Sequence, residues 1–146
     1  MKKIVALCLV LSMLFLGGCT IFEHFFAEAD KANNFVEEFC FALAYDDIDK
    51  AKEYLHPDWQ STHDNLEDYV EKFENENDID FANGVAISRR FYQHVKTYTS
   101  EYGGAVYEFG ISIVIGDKII NMSFMVVDND VGYGIYDFGL YVPDYY

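Results

Sequence analysis

Three groups of residues have the types and spacing that could do chemistry. A base that takes a proton beside a carbonyl needs a hydroxyl or a protonated acid to hold the resulting enolate. Tyr54, Asp58 and Asp137 are residues of those types, but with 12 Tyr and 25 acids in the chain such sets arise easily by chance. Imidazoles and carboxylates together ligate divalent ions, and His56, Asp58, His63 and Asp64 supply both. They form no compact i, i+4 pair on one helix, and Pro57 breaks the geometry. They read better as polar residues at helix ends and in a loop. Asp128-Asn129-Asp130 opens like a calcium loop, yet Gly is missing from the sixth position and Glu from the twelfth, so it reads as a solvated turn. Asn121-Met122-Ser123 fits a glycosylation pattern but lies within a strand of alternating residues. Cys40 sits in Phe39-Cys40-Phe41. A reactive thiol needs an electropositive, accessible setting, so Cys40 reads as a buried, inert one. There is no phosphate-binding loop, dinucleotide fingerprint or nucleophile elbow. No catalytic residue, metal site or cofactor is assigned.

The elements that would position these residues follow from periodicity. Ile21, Phe22, Phe25 and Phe26 have helical spacing. Ala32, Phe35, Val36, Phe39 and Leu43 continue it, with Asn33, Asn34, Glu37 and Glu38 facing away, as in an amphipathic helix. Asp46-Asp47 starts a second helix through capping and the dipole. Ile48, Ala51 and Leu55 give it an apolar stripe, and Pro57 stops it. A third helix is expected with Asp64 as N-cap, Glu67 three residues later, and Leu66, Tyr69, Val70 and Phe73 on its buried face. Acidic residues and Asn dominate the connector from Glu74 to Asp80.

From Gly84 the period changes to two. Four strands are expected at about 85–99, 105–115, 118–127 and 133–142. Tyr107, Phe109, Ile111, Ile113 and Ile115 share one face of the second strand. Ile120, Met122, Phe124 and Val126 share one face of the third. In the fourth, Tyr136, Phe138, Leu140 and Val142 alternate with Asp137 and Gly139. Gly103-Gly104, Gly116-Asp117 and Asp128-Asn129-Asp130 with Gly132 are the turns of an antiparallel meander. The sheet is rich in aromatic residues. Tyr joins apolar area to a polar tip, which suits ligand cavities and interfaces. Tyr54, Trp59, Tyr107, Phe109 and Tyr136 are the candidate lining of a cavity; filling a curved sheet is the competing role.

Lys2 and Lys3, the apolar run Ile4 to Leu16, and the small residues Gly17 and Gly18 before Cys19 have the layout of a secretory signal. The run is shorter than the about 20 residues a membrane-spanning helix needs. The segment Leu16-Gly17-Gly18-Cys19 resembles the lipobox of bacterial lipoproteins. That resemblance implies a diacylglyceryl group on the Cys19 sulfur, cleavage before Cys19, and an extracytoplasmic domain anchored in the cell membrane or the outer membrane. Thr20, not Asp, follows the Cys, which by analogy with Gram-negative sorting permits the outer membrane. The expected organisation is a signal peptide over 1–18, an anchored segment over 19–30 and one domain over 31–146.

Without Lys2 and Lys3, 8 basic residues remain against 25 acidic ones, a formal charge of −17. That balance excludes nucleic acid, whose affinity rests on Lys and Arg against phosphates. It also excludes docking on anionic lipid through basic clusters. A cationic partner fits it.

Three helices followed by four antiparallel strands is the order of the nuclear-transport-factor-2-like superfamily, a cystatin-like α+β cone. Phe35 to Trp59 resembles that fold's opening helix pair, and Gly116 to Leu140 its last hairpin. The resemblance covers about residues 31–142 and implies three N-terminal helices packed on a curved four-stranded antiparallel sheet. It implies a cavity but no particular reaction, and it permits a homodimer through the sheet face. The expected function is non-enzymatic binding of an apolar small ligand or a protein at the cell envelope. The alternatives are a small isomerase- or hydratase-type enzyme using Tyr54, Asp58 or Asp137, and an immunity-type protein that binds a basic partner.

Overall fold

The computed structural model describes residue 28 and residues 30–62 and 65–140. Cys19, the segment around it, His63, Asp64 and residues after 140 lie outside the described residues. The described residues from 32 onward make one compact unit. Its first element is helix α1, helical over residues 30–44. Ala32, Val36, Phe39, Cys40 and Leu43 are buried, so the spacing of the apolar residues is the stripe that faces the core. The helix ends where Asp46 takes a left-handed φ of 56°. Asp tolerates that conformation because its short polar side chain can bond locally.

Asp47 then caps helix α2, Ile48–Lys52, its carboxylate accepting the Lys50 N–H at 3.0 Å. Pro57 does not simply stop this helix. The helix ends five residues earlier, and Pro57 opens a further short helix, α3, Pro57–Thr62. Proline suits the first helical position, where its missing N–H has no intrahelical partner to lose. Among the described residues, the stretch expected to hold three helices thus holds an additional short one. The last, α4, is Leu66–Asn77. Its N-cap is Asn65 rather than Asp64. Asn65 is extended, and its side chain accepts the Glu67 N–H at 3.2 Å. Leu66, Val70 and Phe73 form the buried face of α4. A single 3₁₀ turn, Phe81–Asn83, follows, and its Phe81 N–H is held by the Glu74 carboxylate at 2.8 Å.

The remaining elements are β1 Val85–Thr99, β2 Gly104–Ile115, β3 Lys118–Asp128 and β4 Tyr133–Leu140. They form an open antiparallel sheet in the order β1-β2-β3-β4. The protein is thus α+β, with the described helices preceding the sheet. Tyr107, Phe109, Ile111, Ile113 and Ile115 of β2 are all buried, as alternation requires. Met122, Phe124 and Val126 of β3 join them. Phe39 reaches across from α1 to Phe138 and Phe124, with ring centres 5.1 and 6.4 Å apart. Tyr69 of α4 packs edge-on to Phe138 at 5.0 Å and donates its hydroxyl to the Phe138 carbonyl.

Two departures from regular pairing shape the sheet. β4 carries a bulge: Met125 faces Asp137, but Val126 faces Ile135, leaving Tyr136 as the extra residue. Strict alternation would have put Tyr136 on the face of Phe138. The bulge instead places Ile135 in the core, fully buried, and moves Tyr136 to its edge. β1 is interrupted three times, between Ile87 and Arg89, Tyr92 and His94, and His94 and Thr97. The β4 edge is in turn met by the chain between α2 and α3. Leu55 makes a parallel bridge to Ile135. The Ile135 N–H donates to the Tyr54 carbonyl at 2.8 Å, and the His56 N–H to the Ile135 carbonyl at 2.9 Å.

Candidate functional site

Two polar regions lie at opposite ends of the sheet. The first joins the β1–β2 and β3–β4 turns to the α2–α3 link. His56 is fully buried there. Its Nδ1 accepts the Asp58 N–H at 3.1 Å, which leaves the ring proton on Nε2 to donate to Asn129 Oδ1, also at 3.1 Å. The same Asn129 oxygen accepts the Val131 and Gly132 N–H groups at 2.9 and 3.1 Å. Its amide nitrogen donates to the Tyr102 carbonyl at 2.8 Å. Tyr136, freed by the bulge, packs against His56 and Tyr102 with ring centres 5.5 and 5.0 Å away. Close approach completes the joint. A Cβ at Gly134 would stand 2.5 Å from the His56 nitrogen, so only glycine lets the two backbones meet. This arrangement fastens elements. The hydrogen-bonding atoms of its imidazole face protein groups, so it is a latch.

The second region is the opposite, acidic end. A recess of about 260 Å³ lies among α1, α2, α4 and the 3₁₀ turn. Leu43, Ile48 and Val70 supply its apolar lining. Asp46, Glu67, Glu71, Glu74 and Asp80 surround them. Glu74 and Asp80 hold backbone N–H groups of the 3₁₀ turn, whereas Asp46, Glu67 and Glu71 are exposed. Asp80 also borders a second recess of about 230 Å³ with Asp78, Asp117 and Lys118. Lys118 donates to both the carbonyl and the carboxylate of Asp78. That bond, with the lysine charge, holds the Asp78 carboxyl below its ordinary range. An acidic hollow with an apolar lining can take a cation that carries hydrocarbon.

Of the residues singled out from sequence, His56, Asp58, Asn129 and Tyr136 come together at the latch, and the others do not join them. Tyr54 is half-buried, edge-on to Phe35 at 4.9 Å, with the Lys50 ammonium 5.3 Å from its ring centre. The Asp58 carboxylate lies 3.6 Å from His56 Nδ1. Asp137 is exposed on β4. Of the five candidate lining residues, Trp59, Tyr107 and Phe109 are core: Trp59 is edge-on to Tyr69 at 5.7 Å and Phe109 stacks on Phe124 at 6.3 Å. Tyr54 and Tyr136 are half-buried at the margin. Neither recess described above is lined by any of the five. Burial pushes the Cys40 thiol up to about 12.

Asn129 is the residue that sequence reasoning undervalued. Its bond to the N–H two residues on is the turn in which Asx side chains specialise, so the pattern Asn129 to Gly132 was a readable signal for part of its role. Among the described residues no group of three or more His, Cys, Asp or Glu could hold a metal ion. Among them, no helix is long and apolar enough to cross a membrane. No family model, curated protein or solved structure matches the chain.

Proposed function

We propose that this chain is a lipid-anchored, extracytoplasmic binding domain without enzymatic activity, and that its partner is cationic. The observation that carries the reading is the acidic end, where exposed Asp46, Glu67 and Glu71 surround a recess lined by Leu43, Ile48 and Val70. Carboxylates of one sign around a concave surface raise the local concentration of cations, and the apolar lining favours those with a hydrocarbon body. The lipobox-like segment ending at Cys19 supports the anchor. Helices followed by an antiparallel meander support a nuclear-transport-factor-2-like architecture. An immunity-type protein that binds a basic toxin is the most specific form of this role.

Calorimetric titration with a cationic amphipathic peptide of alternating Lys and Leu tests the reading. Binding should weaken as salt rises and should be lost in the triple variant Asp46→Asn, Glu67→Gln, Glu71→Gln. Absence of binding, or binding indifferent to both salt and charge removal, sinks the cationic partner. Salt-resistant binding of an apolar compound would favour small-ligand capture instead.

A further inference from the structure

We propose that the end of the domain formed by the β1–β2 and β3–β4 turns rests on the membrane surface, with Tyr98 and Val131 at headgroup level, so that the acidic end faces away. The inference rests on the anchor at Cys19. Four large apolar side chains stand out as exposed among the described residues: Tyr45, Tyr98, Ile119 and Val131, at 82%, 73%, 69% and 58%. They fall into two pairs. Tyr98 is one residue from the end of β1, and Val131 lies in the β3–β4 turn. Asn129 ties these two turns together through the Tyr102 carbonyl. Tyr45 and Ile119 lie at the other end, next in sequence to Asp46 and Lys118 of the two recesses.

The path of the chain selects one pair. Phe35 of α1 packs against Tyr54 and Tyr133 at the latch end, with ring centres 4.9 and 5.1 Å away. Leu43, later in α1, lines the recess at the acidic end. The helix therefore runs from latch to acid, and the tether to Cys19 departs from the latch end. Thirteen residue steps separate Cys19 from Ala32. They reach roughly 45 Å fully extended and about 20 Å as a helix. A strand as long as β2 spans about 40 Å. Bringing the acidic end to the bilayer would stretch the tether along the whole domain.

Charge selects the same end. Asp78, Asp80 and Asp117 gather with Glu67 and Glu71 at the acidic end, and anionic headgroups repel them within a Debye length. Tyrosine is at home at headgroup level, where one end of its ring system is apolar and the other wet. Glu101, Asp128 and Asp130 also lie at the latch end and are exposed. They keep the contact shallow, with two apolar tips against the headgroups.

The test uses the full lipidated chain in vesicles of phosphatidylcholine and phosphatidylglycerol. One nitroxide is placed at a time, through Tyr98→Cys, Val131→Cys, Tyr45→Cys or Ile119→Cys. All four positions are exposed, so the fold tolerates them. Cys40 is buried with its thiol pushed up to about 12, and does not compete for label. Paramagnetic resonance then compares collision of each label with oxygen, which concentrates in lipid, and with a water-soluble nickel chelate. The oxygen-to-nickel ratio should be several-fold higher at 98 and 131 than at 45 and 119. Equal ratios, or higher ones at 45 and 119, overturn the orientation and leave the anchor standing. A chain that lacks the lipid by mass and washes off the vesicles overturns the anchor, and the orientation falls with it.

Discussion

The two ends of the sheet use the same kinds of side chain for opposite purposes. At the latch end, His56 and Asn129 direct their polar atoms at named partners, and the Asn129 side chain alone makes one donated and three accepted bonds. At the acidic end, Asp46, Glu67 and Glu71 lie in solvent around an apolar hollow. Polar chemistry removed from water must be paired, and losing one partner strands the others. Polar chemistry left in water is free to repel its neighbours and to attract something else. Paired and solvated polar groups are therefore kept apart, and substitutions at the two ends should differ in sign.

The largest effect is expected at the latch. Asn129→Ala leaves the exposed Val131 N–H to water but strands the Gly132 N–H, the His56 ring proton and the Tyr102 carbonyl, and should cost about 3 kcal/mol in urea unfolding. An unchanged midpoint would mean that the latch does not stabilise the fold. Tyr69→Phe should cost about 1 kcal/mol by removing the bond to the Phe138 carbonyl. Tyr69 also titrates high, first because burial disfavours the phenolate and then because Asp137 and Glu76 add negative charge. A raised tyrosine pKa stabilises the fold below the ordinary tyrosine value, and the benefit is lost as pH rises through the raised value. Unfolding midpoints across the alkaline range should therefore fall more steeply for the native chain than for Tyr69→Phe.

The smallest effect has the opposite sign. Glu71 lies four residues after Glu67 and three before Glu74 on α4. Asp68 stands three residues before it, so Glu71→Gln removes three like-charge pairs and should gain about 0.5 kcal/mol at low ionic strength. The gain should shrink as salt is added, and a loss instead would reveal a favourable partner for Glu71.

The parts of the fold legible in the sequence are those governed by local period. The β2 residues Tyr107 to Ile115 alternate, and the buried face follows from that alone. The α1 stripe is read in the same way. Elements fixed by distant contacts were not legible. The β4 bulge breaks the period at Ile135 and Tyr136, and nothing in that strand's own residues announces it. His56 reads as a helix-end residue because its partner Asn129 stands 73 positions away. Pro57 reads as a stop because a proline that ends one helix and a proline that opens another look alike from the preceding residues. The acidic recess gathers residues from α1, the α1–α2 turn and α4, whose separate helical patterns say only that each charge is solvated.

One feature of β1 bears on life in a crowd. An open sheet edge offers a template on which a second copy could add a strand. β1 answers with its three register breaks, which interrupt any continuous ladder. Two such strands laid side by side would mismatch in spacing, one of the devices that keep natural sheet edges from growing. The opposite edge is already met by Leu55. The domain can be packed densely without its sheets fusing.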